Sequence, residues 1–252
     1  MSEHVRIDRA DGVLAITLAR AERRNAITAA MYAALADAIE SAAQDADVRV
    51  ITLRGEGVDF TAGNDLADFV AEPPSTVGDD IPVWRLLRAL AVNPVPIVAA
   101  VQGNAVGIGT TMLLHCDLVL AEEGCRFIMP FVDLGLVPEA ASSLLMPQLA
   151  GRRAAARTLL LGEPFGAEEA LAMGIVSHVV TRGALGEALQ RTTAALLSKP
   201  QEASRLTQRL LRQGNRKAVL ERMEIENGHF SERLASDDVK QAIARFFAAR
   251  AG

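Results

Sequence analysis

The sequence contains few cysteines and few large aromatic residues, and these shortages narrow the classes of protein to consider. Of its 252 residues, two are cysteines, one is tryptophan and one is tyrosine. Two cysteines, Cys116 and Cys125, in a chain of this length indicate reduced thiols in a cytoplasmic protein rather than a disulfide framework. The scarcity of Trp and Tyr argues against a surface that stacks the bases of single-stranded nucleic acid.

Long apolar runs and a surplus of basic residues are also missing. No apolar segment reaches the roughly 20 residues of a membrane-spanning helix, and the opening MSEHVRIDRA does not follow a signal-peptide pattern. The formal net charge is −5, whereas proteins that bind nucleic acid usually carry a basic surplus. The histidines and cysteines show no spacing typical of metal ligands. We therefore expect no membrane partner, no nucleic-acid partner and no metal.

Half of the residues are hydrophobic, which is enough to build one large α/β domain. Apolar patterns predict strands over residues 5–7 and 13–18, followed by a helix with Thr28 at its N-cap. The last third of the chain has the amphipathic pattern of helices that need a partner surface, including helices over residues 201–211 and 216–233. The sequence thus predicts an α/β core over residues 1–183 and a helical region over residues 184–252.

The centre of the chain combines a buried strand with a glycine-rich turn. The run Ile97–Val101 is wholly apolar and is followed by three glycines, Gly103, Gly107 and Gly109, before a predicted helix start. Glycine lets the backbone approach a ligand closely, and the start of a helix presents unbonded N–H groups. Such a turn suits a developing negative charge. Glu139, a lone carboxylate in an apolar segment, follows later in the chain, and we expect it to move a proton.

Six motifs, in this order along the chain, resemble the enoyl-CoA hydratase/isomerase (crotonase) superfamily. They are Asn25-Ala26, Asp47-Val48-Arg49-Val50, Phe60-Thr61-Ala62-Gly63-Asn64-Asp65-Leu66, Val101-Gln102-Gly103-Asn104-Ala105-Val106-Gly107-Ile108-Gly109, Cys116-Asp117 and Ala170-Leu171-Ala172-Met173-Gly174-Ile175-Val176. The resemblance covers nearly the whole chain. It implies a spiral of ββα units with C-terminal helices that form trimers, usually paired as hexamers. It also implies an acyl-CoA thioester as substrate and no cofactor, because CoA is part of the substrate.

The resemblance also implies where the acyl-CoA is held. In this superfamily two backbone N–H groups stabilise an enolate, and by motif position they belong to Asn64 and Ile108. Losing one such donor typically raises the barrier by roughly 2.7–4 kcal/mol. The neighbouring residues of both turns are expected to bind the substrate, namely Ala62, Gly63, Asp65, Leu66, Gly107 and Gly109. The loop that carries Arg20, Arg23 and Arg24 lies near the nucleotide in this family, and arginine suits phosphate geometry.

The positions of the acidic residues favour isomerisation over hydration. Family hydratases use two glutamates, and the corresponding positions here are Thr111 and Phe131. Glu139, within Gly135-Leu136-Val137-Pro138-Glu139-Ala140, instead resembles the catalytic glutamate of peroxisomal-type Δ3,Δ2-enoyl-CoA isomerases. One base that takes a proton from C2 and returns it at C4 suffices for this reaction. We expect Glu139 to be ionised at neutral pH, because a helix that starts at Pro138 would offset the effect of apolar neighbours.

Alternatives stay open at several points. Asp133 is a second candidate base, and the acyl pocket is assigned to Trp84 and Phe131, with contributions from Phe60, Leu87 and Met129. Phe246 and Arg250 match positions that reach the CoA of a neighbouring subunit in the family. The segment 72–80, rich in Pro, Gly and Asp, predicts a mobile surface loop. Alternative functions are an enoyl-CoA hydratase, another crotonase-type enolate reaction, and a non-catalytic homologue that binds acyl-CoA or RNA.

Overall fold

A computed structural model of the chain describes residues 2–67 and 81–251, with the side chains of 246, 247 and 249–251 excepted. The loop predicted over residues 72–80 lies outside the described residues. The same holds for the side chains of Phe246 and Arg250, so their assignment to a neighbouring CoA stays a prediction.

The strands of the described residues form two sheets. They are β1 (Val5–Ala10), β2 (Val13–Leu18), β3 (Val50–Gly55), β4 (Ile97–Val101), β5 (Asn104–Val106), β6 (Leu118–Glu122), β7 (Arg126–Ile128), β8 (Phe165–Gly166) and β9 (His178–Val180). The larger sheet has the order β1-β2-β3-β4-β6-β9, and the smaller one has the order β5-β7-β8. In the larger sheet β1 pairs antiparallel with β2, and every later pair is parallel.

The helices connect the strands and then dominate the last third of the chain. They are α1 (Ala29–Gln44), α2 (Pro82–Val92), α3 (Ile108–Thr111), α4 (Ser142–Leu160), α5 (Ala167–Ala172), α6 (Leu185–Leu197), α7 (Gln201–Leu234) and α8 (Asp237–Ala251). Among the helices that the structure describes, none combines the length and apolar character that a membrane crossing requires.

Both faces of the larger sheet are covered, which explains why its central strand β4 is apolar throughout rather than alternating. Successive residues of a strand point to opposite faces, so Ile51 joins the main core while Val50 faces the other way. The main core includes the buried side of α1, and the second face is covered by α6, whose Ala188 packs with Val98. The central strands are therefore held rigidly between two layers of helices.

The first helix begins as the sequence predicts. The side chain of Thr28 accepts a hydrogen bond from the backbone N–H of Met31 at 3.3 Å, which satisfies one of the free donors of the first turn. Met31, Leu35 and Ile39 lie on the buried face, as their spacing indicates.

The prediction of two separate helices over residues 201–211 and 216–233 is wrong. A single helix, α7, runs through the whole segment, and Gly214 lies inside it. Glycine inside a helix costs roughly 1 kcal/mol relative to alanine, so a local pattern favours a break there. Tertiary contacts on the N-terminal side of this glycine offset that cost. Arg205 donates to the carbonyl of Val48 at 3.0 Å, and Arg212 binds further groups of the core.

Arg212 ties α7 to the sheet. Its guanidinium forms an ion pair with Asp117 at 2.9 Å and donates to the carbonyls of His115 at 2.6 Å and Leu90 at 2.9 Å. Asp117 also accepts the backbone N–H of Ile97, the first residue of β4, at 2.8 Å. Burial raises the pKa of Asp117, and the charge of Arg212 opposes that effect. The long helix is thus fixed next to the strand that leads into the glycine-rich turn.

Replacing Arg212 with methionine should destabilise the protein, because Asp117 would keep a largely desolvated charge without its partner. Both side chains are about one-fifth exposed (19% and 20%), so we expect a loss of about 2–3 kcal/mol, somewhat less than for a fully buried pair. Urea unfolding at neutral pH measures it. Arg209→Met, on the exposed side of the same helix, is the matched control and should change stability by less than about 0.5 kcal/mol. Equal stability of the two variants would contradict the anchoring role of Arg212.

Candidate active site

Two turns lie side by side at the edge of the smaller sheet. Thr61 forms a parallel bridge with Ala105, and the backbone N–H of Val106 donates to the carbonyl of Thr61 at 3.1 Å. Three residues further along the two paired segments are Asn64 and Ile108. The pairing therefore brings the two predicted oxyanion donors to the same end of two adjacent backbones.

The close approach of the two turns requires a glycine at position 63. Its φ of +84° lies in the left-handed region, and an added Cβ would sit 2.6 Å from the carbonyl oxygen of Val106. Gly107 also has a positive φ, +56°, and a Cβ there would point into open space. The backbone at these two positions thus needs glycine for different reasons: contact between the turns at 63, and conformation at 107.

The backbone amides of Asn64 and Ile108 donate no hydrogen bond to any described residue. Gly63 and Asp65 make the backbone bonds to Ile27 on either side of Asn64, so the N–H of Asn64 points away from that partner. Ile108 is the first residue of α3, where no intrahelical acceptor exists for its N–H. Both amides are therefore available to a ligand.

A cavity of about 480 Å³ opens at these two turns. Most of the predicted site residues line it, namely Arg23, Arg24, Ala62, Gly63, Asn64, Asp65, Leu66, Gly107, Ile108 and Phe131. Apolar side chains of Leu134, Leu136 and Phe230 complete part of the wall. One side of the cavity is thus built from the polar turns and arginines, and apolar residues supply much of the rest.

Three residues assigned to the site from the sequence, Gly109, Trp84 and Glu139, do not line this cavity. Gly109 is buried, and a Cβ there would meet the side chain of Thr61 at 2.4 Å, so this glycine permits packing of α3 against the neighbouring turn. Trp84 packs edge-on against Phe230, with ring centroids 5.6 Å apart, and it is Phe230 that reaches the cavity. Three further pocket candidates, Phe60, Leu87 and Met129, are fully buried in the core.

The arginine loop divides into one structural residue and two exposed ones. Arg20 forms an ion pair with Asp65 at 2.6 Å and donates to the carbonyl of Ala26 at 3.0 Å, so it holds the loop against the first turn. Asp65 also accepts the backbone N–H of Ala67 at 3.0 Å. Arg23 and Arg24 are exposed beside the cavity, where a phosphate group would be accessible to them.

Glu139 is buried next to the site rather than in the cavity wall. Its side chain is 1% exposed, and its Oε1 atom has no hydrogen-bond partner. The residue precedes α4, which begins at Ser142, so the expected helix start at Pro138 is wrong and the carboxyl group receives no N–H from a first turn. An uncompensated buried carboxyl group of this kind is typical of a functional position.

The expectation that Glu139 is ionised at neutral pH is also wrong for this structure. Burial raises the pKa of Glu139 from 4.5 to about 8, and the negative charge of Glu226 adds to the effect. The protonated form therefore predominates at pH 7. The sequence suggested the opposite because it indicated a helix start at Pro138, and because Glu226 is distant in the chain.

Tyr32 links Glu139 to the oxyanion turn. Its hydroxyl donates to the side-chain oxygen of Asn64, and burial raises the pKa of Tyr32, with the charge of Glu139 as a second cause. The phenol stays protonated and remains a donor. Tyr32 was not assigned to the site from the sequence, although its place on the buried face of α1 indicates contact with the core. Within the described residues, no three His, Cys, Asp or Glu side chains gather into a metal-binding group.

The chain is similar to known proteins over nearly its whole length. A family model described as "Enoyl-CoA hydratase/isomerase" matches residues 8–251. The 1,2-epoxyphenylacetyl-CoA isomerase of Escherichia coli (strain K12) is 32% identical over 95% of this chain and 93% of its own length. The enoyl-CoA delta isomerase 2 of Homo sapiens is 30% identical over 94% of this chain and 61% of its own length. The crystal structure of an enoyl-CoA hydratase/isomerase from Pseudoalteromonas atlantica T6c is 39% identical, superposes with a TM-score of 0.92 and covers 98% of both chains. The predicted α/β crotonase fold with C-terminal helices is confirmed.

Glu139 should make the folded protein less stable as the pH rises. Its pKa is about 8 in the folded state and near 4.5 in an unfolded chain, so the unfolded chain binds fewer protons between these values. Relative to Glu139→Gln, the wild-type protein should lose about 2 kcal/mol of stability between about pH 6 and pH 8. Urea unfolding of both proteins at the two pH values measures the difference between their free energies of unfolding. His115 is present in both proteins, so its titration does not contribute to that difference. A difference that does not change with pH would show that Glu139 ionises as an ordinary carboxyl group.

Proposed function

The chain belongs to the enoyl-CoA hydratase/isomerase family, and we propose that it is an enoyl-CoA isomerase that converts a Δ3-enoyl-CoA into the Δ2 isomer. The observation that carries the proposal is Glu139, a buried carboxyl group with an unbonded oxygen, whose charge acts on Tyr32. The hydroxyl of Tyr32 binds Asn64, in one of the two turns with unbonded amides. A double-bond shift needs this combination: one group that moves a proton, and donors for the charge that develops on the thioester oxygen.

In the proposed reaction, ionised Glu139 removes a proton from C2 of the substrate. The electrons of the broken C–H bond form the C1–C2 double bond of an enolate, whose oxygen accepts hydrogen bonds from the N–H groups of Asn64 and Ile108. The protonated Glu139 then delivers the proton to C4, where the electrons of the former 3,4 double bond form the new C–H bond. The electrons of the C1–C2 double bond move to the C2–C3 position, and the enolate oxygen re-forms the thioester carbonyl. A pKa of about 8 suits both steps, because such a group gains and loses a proton readily near neutral pH.

The burial of Glu139 favours isomerisation over a reaction that needs water. Dry surroundings keep solvent protons away from the intermediate, so that the same proton is returned to the product. Leu136, three residues before Glu139 in the same loop, lines the cavity. Tyr32, on which the charge of Glu139 acts, binds Asn64 in the cavity wall. The proposal requires the acyl chain to enter past these wall residues until C2 reaches the carboxyl group.

The rest of the substrate is assigned to the exposed arginines. Arg23 and Arg24 would bind the phosphates of CoA, at the polar side of the cavity.

We also propose that residues 184–252 form the oligomerisation region of a homotrimer or hexamer. Their exposed leucines, including Leu210 and Leu211 at 71% and 77% exposure, support this assignment, because such side chains are rarely left in water as a group.

Hydration has weaker support because the side chains at the hydratase positions cannot activate water. Thr111 is buried with its hydroxyl unpartnered, and Phe131 places a phenyl ring in the cavity wall.

The similarity to an epoxyphenylacetyl-CoA isomerase keeps another enolate reaction as the alternative within the family. A non-catalytic RNA-binding role is disfavoured by the net charge of −5. Asp133 also lines the cavity, but its exposed carboxylate would exchange its proton with water.

The test of the proposal is Glu139→Gln, which keeps the shape of the side chain and removes the base. With 3-enoyl-CoA substrates of several lengths, kcat should fall by roughly 1000-fold, while the dissociation constant of the acyl-CoA changes little. Appearance of the conjugated thioester absorbance reports isomerisation, and its loss with trans-2-enoyl-CoA reports hydration.

Asp133→Asn is the matched control, because it removes the rival carboxylate from the cavity wall. This variant should retain most of the isomerase activity. Undiminished turnover in Glu139→Gln, or loss of turnover in Asp133→Asn alone, would assign the proton transfer to another group.

A further inference from the structure

A second carboxylate, Glu226, is buried close to Glu139 although it belongs to the C-terminal helical region. It lies on α7 and is 5% exposed, on the same stripe as the buried residues Val219, Met223 and Phe230. The proposed mechanism does not use it. A carboxylate among apolar residues is unfavourable unless specific donors bind it, so its contacts show what holds it there.

The partners of Glu226 are the first backbone amides of α4. Its Oε2 atom accepts the N–H of Ala141 at 2.6 Å, and its Oε1 atom accepts the N–H of Ser143 at 2.9 Å. Arg222, one turn earlier on α7, donates to the hydroxyl of Ser143 at 3.1 Å. Glu226 thus caps the start of a helix from outside, where the helix dipole favours a negative charge. Accepting two N–H groups at once also favours its ionised form.

The backbone between Glu139 and this helix has a strained conformation. Ala140 and Ala141 follow Glu139 directly and have φ values of +60° and +54°, a region that residues other than glycine rarely occupy. Two buried side chains hold them in place. The ring Nε2 of His115 lies 2.8 Å from the carbonyl oxygen of Ala140, and Glu226 binds the N–H of Ala141.

We propose that Glu226 is a positioning residue for Glu139, fixing the strained loop that carries it and disfavouring a second negative charge beside it. This inference rests on the proposed function of Glu139 as the proton-transfer group. The capping contacts set where the carboxyl group points, and the charge sets how readily it holds a proton.

The groups around Glu139 and Glu226 agree with this assignment. Tyr32 faces Glu139 from α1 and is protonated, and His115 is neutral because burial lowers its pKa to about 4. Burial raises the pKa of Glu226, and the hydrogen bonds to Ser143 and Ala141 and the charge of Arg222, the nearby cation, partly oppose this rise. Among these described neighbours, the negative charge that acts on Glu139 is that of Glu226.

Titration of Glu139 tests the inference without any use of activity. Protein labelled with ¹³C at the glutamate carboxyl carbon is titrated by NMR, and Glu139→Gln identifies the signal of Glu139. In the wild-type protein this signal should titrate near pH 8. In Glu226→Gln it should titrate at a lower pH, yet still above the ordinary pKa of a glutamate side chain, because the burial of Glu139 remains. Glu224→Gln, an exposed neighbour on the same helix, is the matched control and should leave the titration unchanged.

Kinetic measurements then distinguish a positioning role of Glu226 from a general contribution of Glu226 to folding. The pH dependence of kcat/KM should shift to lower pH in Glu226→Gln, in parallel with the NMR titration. Glu226→Ala should lower kcat on the order of 100-fold with little change in KM, because the loop loses its fixed position while the cavity wall stays intact. If Glu226→Gln alone does not fold, the double variant Glu226→Gln/Ala141→Gly is used. Glycine at position 141 adopts the left-handed conformation without strain and so offsets part of the lost stability.

The outcomes distinguish the two claims. An unchanged titration of Glu139 in Glu226→Gln, or a pH profile that does not move, overturns the role of Glu226 even if Glu139→Gln is inactive. A shifted titration combined with full activity of Glu139→Gln leaves Glu226 as the residue that tunes Glu139 and refutes the proposed function instead.

Discussion

The burial of the Glu139 carboxyl group without a hydrogen-bond partner is the constraint on which the rest of the site depends. Such a group is unfavourable in either protonation state, and typical costs for an unsatisfied buried polar group are about 1–3 kcal/mol. The left-handed residues Ala140 and Ala141 add strain directly beside it. A fold keeps a feature of this kind only when the surrounding structure holds it firmly, and here the support comes from α1, α7 and the loop before α4.

Three separate parts of the chain therefore meet at the proposed reaction centre. The paired turns supply unbonded amides at Asn64 and Ile108, the central loop supplies Glu139, and the C-terminal helices supply Glu226. Arg212 fixes α7 against the start of β4, the strand that leads into the second turn. The helical region, to which the family resemblance assigns oligomerisation, thus also supports the proposed site. Under the proposed function, this one long helix couples the stability of the fold to the position of the proton-transfer group.

Local patterns in the sequence were sufficient for features that depend on neighbouring residues. The strand Ile97–Val101, the Thr28 cap and the glycine turns all follow from short-range periodicity and backbone geometry. Features that depend on contacts distant in sequence were missed or mistaken. The ionisation of Glu139 depends on Glu226, and the continuity of α7 depends on its contacts with the core. A carboxylate on the apolar stripe of α7 was the available signal for Glu226, visible only once that helix is known to be continuous.

The central claim is that one buried carboxyl group carries a proton from C2 to C4 without exchange with water. The most direct measurement uses a 3-enoyl-CoA deuterated at C2, converted in ordinary water and analysed by NMR and mass spectrometry at low conversion. The account predicts that a large share of the transferred deuterium appears at C4 of the product. Complete loss of the transferred label to solvent, with only protium delivered to C4, would contradict a dry, single-base shuttle at Glu139.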